Sequence, residues 1–132
     1  MKVDRIVICE DNLTQAIILI EMLRYHIDNP ISHYTQAQQA LDVIDTLVEK
    51  PVLLIVDLIL SGGLSGLDLI HRVHASYPSL PILVTTAAPL RENVTVATGA
   101  GAGAFLSKPF SHDELIMALF ELNVIFHVSS RE

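Results

Sequence analysis

The chain has 132 residues, 51% of them hydrophobic, with 15 acidic and 8 basic side chains and a net charge of −7. That length is enough for one compact domain, and that apolar fraction argues against a disordered chain. Phosphate-backbone binding needs clustered Lys and Arg, so eight basic residues argue against a nucleic-acid surface in this segment.

Short β-rich runs alternate with helical patterns. Arg5–Cys9 reads as a strand dense in Ile and Val. Asn12 is a helix cap for residues 13–25, with Ile17, Leu19, Ile20 and Leu23 as the apolar positions. Asp28-Asn29-Pro30 is turn chemistry, followed by a short strand over Ile31–Tyr34. Thr35 with Gln38 spells a capping box for a helix over residues 35–49, with Leu41, Ile44, Leu47 and Val48 inside. Lys50-Pro51 stops that helix, and Val52–Asp57 is a third strand.

Residues 61–66 form a loop with three glycines, and Ser65 with Asp68 opens a helix to Ser76. Residues 81–86 are a fourth strand. Residues 90–100 have helical rhythm, but Val94, Thr95, Val96, Thr98 and Gly99 lower helix propensity. Ala104–Ser107 is a fifth strand, and Ser111 with Glu114 caps a last helix through Leu115, Leu119 and Leu122. Strands apolar on both faces, alternating with helices, imply a parallel sheet between two helical layers with right-handed crossovers. With no repeat, linker or low-complexity stretch, residues 1–132 read as one domain.

In an open parallel sheet the binding crevice lies at the carboxyl ends of the strands. Glu10 and Asp11 follow strand one, Asp57 ends strand three, Thr85 and Thr86 end strand four, and Lys108 follows strand five. Carboxylates without sulfur or imidazole favour a hard cation such as Mg²⁺. Without a cation, three neighbouring carboxylates repel and raise one another's pKa. Lys108 can pair with Asp57, and a carboxylate held by a metal can attack phosphorus to form an acyl phosphate.

Other signals are set aside. Cys9 allows no internal disulfide and reads as a small buried residue. No signal peptide or bilayer-length apolar run is visible, so a cytoplasmic chain without membrane contact is expected. The glycines at 99, 101 and 103 precede a strand, which does not suit a dinucleotide loop. His71 and His74 stand one turn apart and read as a helix face rather than a metal pair. His26, His33, His112 and His127 read as scattered, and the tyrosines show no stacking pattern.

The combination resembles the receiver domain of bacterial two-component response regulators. The residues carrying it are Glu10-Asp11, Asp57-Leu58, Thr86-Ala87 and the run from Gly101 to Phe110. The resemblance implies a flavodoxin-like fold, with a five-stranded parallel sheet in the order 2-1-3-4-5 flanked by five helices. It implies that Asp57 is the phosphoacceptor, Asp11 the direct Mg²⁺ ligand and Glu10 an acid acting through metal-bound water. The Ile59 backbone carbonyl would complete the metal set. Thr86 matches the switch hydroxyl, Phe105 the switch aromatic, and Lys108 the conserved-type lysine before a cis Lys108–Pro109 bond. The implied partners are a histidine kinase or phosphotransfer protein and a downstream target or effector domain, with a homodimer as one option.

That makes the chain a phosphorylation switch rather than an enzyme, with at most self-phosphorylation from small donors and slow autodephosphorylation. A degenerate receiver acting as a binding module, and the excised N-terminal domain of a DNA-binding regulator, are the alternatives. An acyl-phosphate phosphatase normally wants a second acid where Ile59 stands. The chain departs from the family pattern at Ser61, where a proline is usual, and at Gly66, one position late. It also departs in the weak helix after Thr86 and in the apolar segment 124–128, a helix extension or contact surface.

Overall fold

The computed structural model describes residues 3–47, 52–88 and 90–124. Five strands and five helices alternate: β1 (Arg5–Cys9), α1 (Leu13–His26), β2 (Ile31–Tyr34), α2 (Ala37–Leu47), β3 (Val52–Asp57), α3 (Gly66–Ser76), β4 (Ile82–Thr86), α4 (Arg91–Ala100), β5 (Ala104–Ser107) and α5 (His112–Glu121). The strands form one parallel sheet in the order β2-β1-β3-β4-β5. This is the expected architecture.

Side chains alternate across a strand, so each strand feeds two cores. Ile6, Ile8, Leu53, Ile55, Leu83 and Leu106 pack with α1 and α5. Val7, Cys9, Leu54, Val56 and Val84 pack with α2, α3 and α4 on the opposite face. Every residue of β3 is buried, because it is the central strand and both its faces are covered.

The caps follow the sequence with one exception. Asn12 accepts from the Gln15 N–H, and the Ser65/Asp68 and Ser111/Glu114 boxes are both closed. The expected Thr35/Gln38 box does not open α2. That helix starts at Ala37, one residue later than a cap at Thr35 requires, and the Gln38 amide donates to Asp42 one turn on (2.9 Å). β4 starts after Pro81, whose carbonyl still accepts from Leu54 N–H (3.1 Å). Helix α4 forms behind Leu90, which caps it without a side-chain bond, and it buries only Ala97 and Ala100. Its end needs Gly101 at φ +129, where an added Cβ would lie 2.4 Å from the His74 ring.

In α1 the inner face is Ala16, Leu19, Met22 and Leu23, with Ile20 at its margin. Ile17 corrects the expectation. It lies on the outer face with Leu13 and Ile18, and all three are exposed. Of the apolar segment 124–128, Val124 packs on the α1/α5 core, and the remainder lies outside the described residues, as do Val48 and Glu49.

Candidate functional site at the carboxyl edge of the sheet

Parallel pairing sends the ends of β1, β3, β4 and β5 to one edge. Asp57 closes β3 opposite Thr85, and β4 pairs with β5 so that Lys108 follows directly. Lys108 N–H donates to the Thr86 carbonyl (2.7 Å), which fixes the chain at the exit of β5. The peptide bond to Pro109 is cis, as expected.

The Lys108 ammonium donates to Glu10, to Gln15 and to Asp57 Oδ2 (2.8 Å). Its side chain is only 12% exposed, and Glu10 and Asp57 are buried. Asp57 Oδ1 accepts from Ile59 N–H (3.0 Å), a turn that holds the carboxylate at the strand end. Glu10 Oε2 accepts from Asn12 N–H (3.2 Å). Burial raises the Glu10 pKa, and the bond from Lys108 partly opposes that rise.

Asp11 is exposed, and its Oδ2 accepts two bonds from Ser61, one from the backbone N–H (3.0 Å) and one from the hydroxyl (2.9 Å). The backbone bond from Ser61 is the main cause that holds the Asp11 carboxyl below its ordinary value. A proline at 61 would have no N–H to give. The departure noted in the sequence therefore has a structural role: Ser61 ties the β3–α3 loop to Asp11.

Gly66 has a second close approach. A Cβ there would stand 2.4 Å from the Asp57 carbonyl oxygen and 2.7 Å from that of Leu58, both backbone atoms. Alanine at 66 gains helix propensity but forces the end of β3 to move. We expect Gly66→Ala to lose about 1–3 kcal/mol in urea unfolding, the usual cost of overpacking. Unchanged stability would show that the loop yields freely.

The Thr86 side chain is buried, and its hydroxyl accepts from Ala88 N–H (3.1 Å). Phe105 pairs with Val84 and is half-buried on the α2/α3/α4 side of the sheet. Thr86, two residues beyond Val84, shares that side. Thr85 faces the other way, onto a cleft lined also by Gln15, Ile18, Met22, Lys108 and Phe110. Burial and the charges of Glu10, Asp11 and Asp57 push the Cys9 thiol up to about 12, so it is inert. Sequence reasoning missed His33, whose Nε2 bonds the Glu10 carbonyl (2.8 Å) and steadies the acidic turn from β2.

One ligand atom each from Glu10, Asp11 and Asp57 lies within 4.8 Å of the others. An all-oxygen set of this span suits a hard divalent cation at about 2.0–2.1 Å from each oxygen. The donor set therefore fits Mg²⁺.

The response regulator receiver domain model matches residues 6–120. The chain belongs to the response regulator receiver domain family. Response regulator RppA from Synechocystis sp. is 34% identical over 118 residues, covering 87% of this chain and 48% of that protein. Transcriptional regulatory protein PdtaR from Mycobacterium tuberculosis is 35% identical over 115 residues, covering 87% and 54%. The chain spans about half the length of these curated relatives, and less of some others.

Among solved structures, a CheY-like receiver domain from Methanospirillum hungatei aligns over 92% of this chain and 94% of its own, with TM-score 0.78 and 22% identity. The receiver domain of an HD domain-containing protein from Pseudomonas fluorescens has TM-score 0.78 and 25% identity over 92% and 94%. The chain is thus a receiver domain of the two-component response regulator type, a signalling fold. No helix among the described residues is long and apolar enough to cross a membrane.

Proposed function

We propose that Asp57 accepts a phosphoryl group from a phosphohistidine on a sensor kinase or phosphotransfer protein, with residues 1–132 acting as one switch. The observation that carries this reading is the meeting of Asp57, Glu10, Asp11 and Lys108 at one sheet edge in a chain of this family. An oxygen of Asp57 attacks phosphorus, an O–P bond forms, the donor's P–N bond breaks, and the imidazole leaves with the electron pair. Glu10, Asp11, Asp57 and the Ile59 carbonyl would hold Mg²⁺. When bound, the ion offsets negative charge on the transferring group. Lys108 donates to a phosphoryl oxygen once Asp57 no longer carries a free carboxylate.

The Thr86 hydroxyl then leaves the Ala88 N–H for the phosphoryl group, and Phe105 turns inward behind it on the same side of the sheet. This is a two-state shift biased by a covalent charge, read out on α4, β5 and α5. Met117 and Phe120 are exposed one turn apart on α5 and suit a protein target or a second copy. A kinase fed by ATP puts this exchange in the cytoplasm. Relatives about twice as long favour a second reading, in which the face binds an effector domain of the same protein.

The test is intact-mass spectrometry after incubation with acetyl phosphate and Mg²⁺. One phosphoryl adduct per chain, mapped to Asp57, is expected, and no adduct rejects the reading. The adduct should also be slow to hydrolyse. Ile59, whose side chain is exposed, and Ala88 stand where this family tunes dephosphorylation, and neither can orient a water molecule by hydrogen bonding. After donor removal the adduct should persist for minutes or longer. Decay within seconds contradicts this.

A further inference from the structure

His26 is the last residue of α1 and His112 the first of α5. Eighty-six positions separate them in the sequence, yet His26 Nε2 lies 3.1 Å from His112 Nδ1. The rings are steeply inclined, at 68°, with centroids 5.3 Å apart. Tyr25 stands edge-on to both, at 5.1 Å from His26 and 5.7 Å from His112, and so braces the pair. His26 is half-buried and His112 exposed, leaving the two nitrogens within reach of solvent.

We propose that His26 and His112 bind a first-row transition-metal ion such as Zn²⁺, Ni²⁺ or Cu²⁺, which clamps the end of α1 to the start of α5. Two imidazole nitrogens at about 2.0–2.1 Å from one tetrahedral ion stand roughly 3.3 Å apart. The observed 3.1 Å needs only a small opening and a modest turn of each ring. Only one hydrogen fits between the two nitrogens. If each neutral ring carries its proton on the outer nitrogen, both inner lone pairs face the ion, and water fills the remaining positions. Imidazole selects these borderline ions, whereas the carboxylate set at the sheet edge suits Mg²⁺. The two sites therefore differ in ion as well as in place.

His33 and His74 are engaged elsewhere, and His71 lies on α3, away from this pair. His33 bonds the Glu10 carbonyl, and His74 packs over Gly101. The clamp has a mechanical consequence. His112 lies four residues after Lys108, so an ion tying it to α1 restrains the segment that carries the lysine of the acidic site.

The test titrates Zn²⁺ into the untagged chain with Mg²⁺ at saturation, followed by calorimetry and by imidazole ¹⁵N shifts. One ion per chain is expected, with the His26 and His112 resonances moving together in the wild-type protein. His26→Ala and His112→Ala should each weaken binding about tenfold or more, a difference of 1.4 kcal/mol per factor of ten. The double variant His71→Ala/His74→Ala should bind as wild type does. Absence of binding, binding as tight as wild type by either single variant, or shifts confined to other residues would each overturn the proposal. The wild-type ring shifts decide the matter even if a variant folds poorly.

Discussion

Replacing Lys108 with methionine is expected to cost about 3 kcal/mol of stability at neutral pH, the lower end for removing one partner of a buried ion pair. Methionine keeps the unbranched apolar stem and removes the terminal ammonium, so the lost charge rather than a large cavity accounts for the loss. The Lys108 ammonium bonds Glu10, Gln15 and Asp57, and its removal leaves two buried carboxylates facing each other without a cation.

Glu10 would then take up a proton more readily. Burial already raises its pKa, and the opposing bond from Lys108 is gone. A carboxyl whose folded pKa lies above its unfolded value of 4.5 binds more protons in the native state between those two values. Stability therefore rises as the pH falls through the folded value toward 4.5. The deficit of Lys108→Met in urea unfolding should shrink over that window, and added Mg²⁺ should shrink it at neutral pH. A variant as stable as wild type at pH 7 would mean that the ammonium contributes nothing net.

The strands were legible because nothing else explains their composition. Val52 to Val56 offers no helical stripe, and a carboxylate ending such a run needs compensation that only a neighbouring strand end can supply. The Glu10, Asp11, Asp57 and Lys108 cluster followed from topology, because parallel pairing leaves little freedom in where strand ends go. What escaped reading depended on contacts made across the fold.

Thr35 and Gln38 have the letters of a cap, but β2 continues to Tyr34 and α2 starts one residue later than a cap at Thr35 requires. Ile17 has the hydropathy of a core residue, yet α1 meets the sheet through Leu19 and Leu23, and Ile17 lies away from that stripe. Ser61 looked like a lost proline, and only the fold brings its N–H and hydroxyl to Asp11. Gly66 looked misplaced until its close approach to the Asp57 carbonyl explained it. His26 and His112 carry no spacing signal at all, since residues so far apart meet only through the packing of α1 and α5 on one face of the sheet.

Asp57→Asn should abolish the phosphoryl adduct entirely while leaving the protein folded. The amide oxygen can still accept from Ile59 N–H, and the side chain keeps its size, so the strand end has no reason to move. The amide is no nucleophile toward phosphorus, and no other group at the site can replace the lost carboxylate. Glu10 is bound by Lys108 and by Asn12 N–H, and Asp11 is held on the outer rim by Ser61.

The electrostatics also favour the variant fold. Two buried carboxylates share one ammonium in the wild type, and one carboxylate per ammonium remains after the change. Charge repulsion falls, so the melting temperature should be equal or higher, a rise at the expense of function of the kind found at strained sites. The experiment pairs intact mass after acetyl phosphate treatment with a thermal melt of both proteins. An adduct of wild-type stoichiometry on a folded Asp57→Asn chain would move the acceptor to another residue. Loss of the adduct together with a large fall in melting temperature would instead make Asp57 a structural anchor, and the variant silent on phosphorylation.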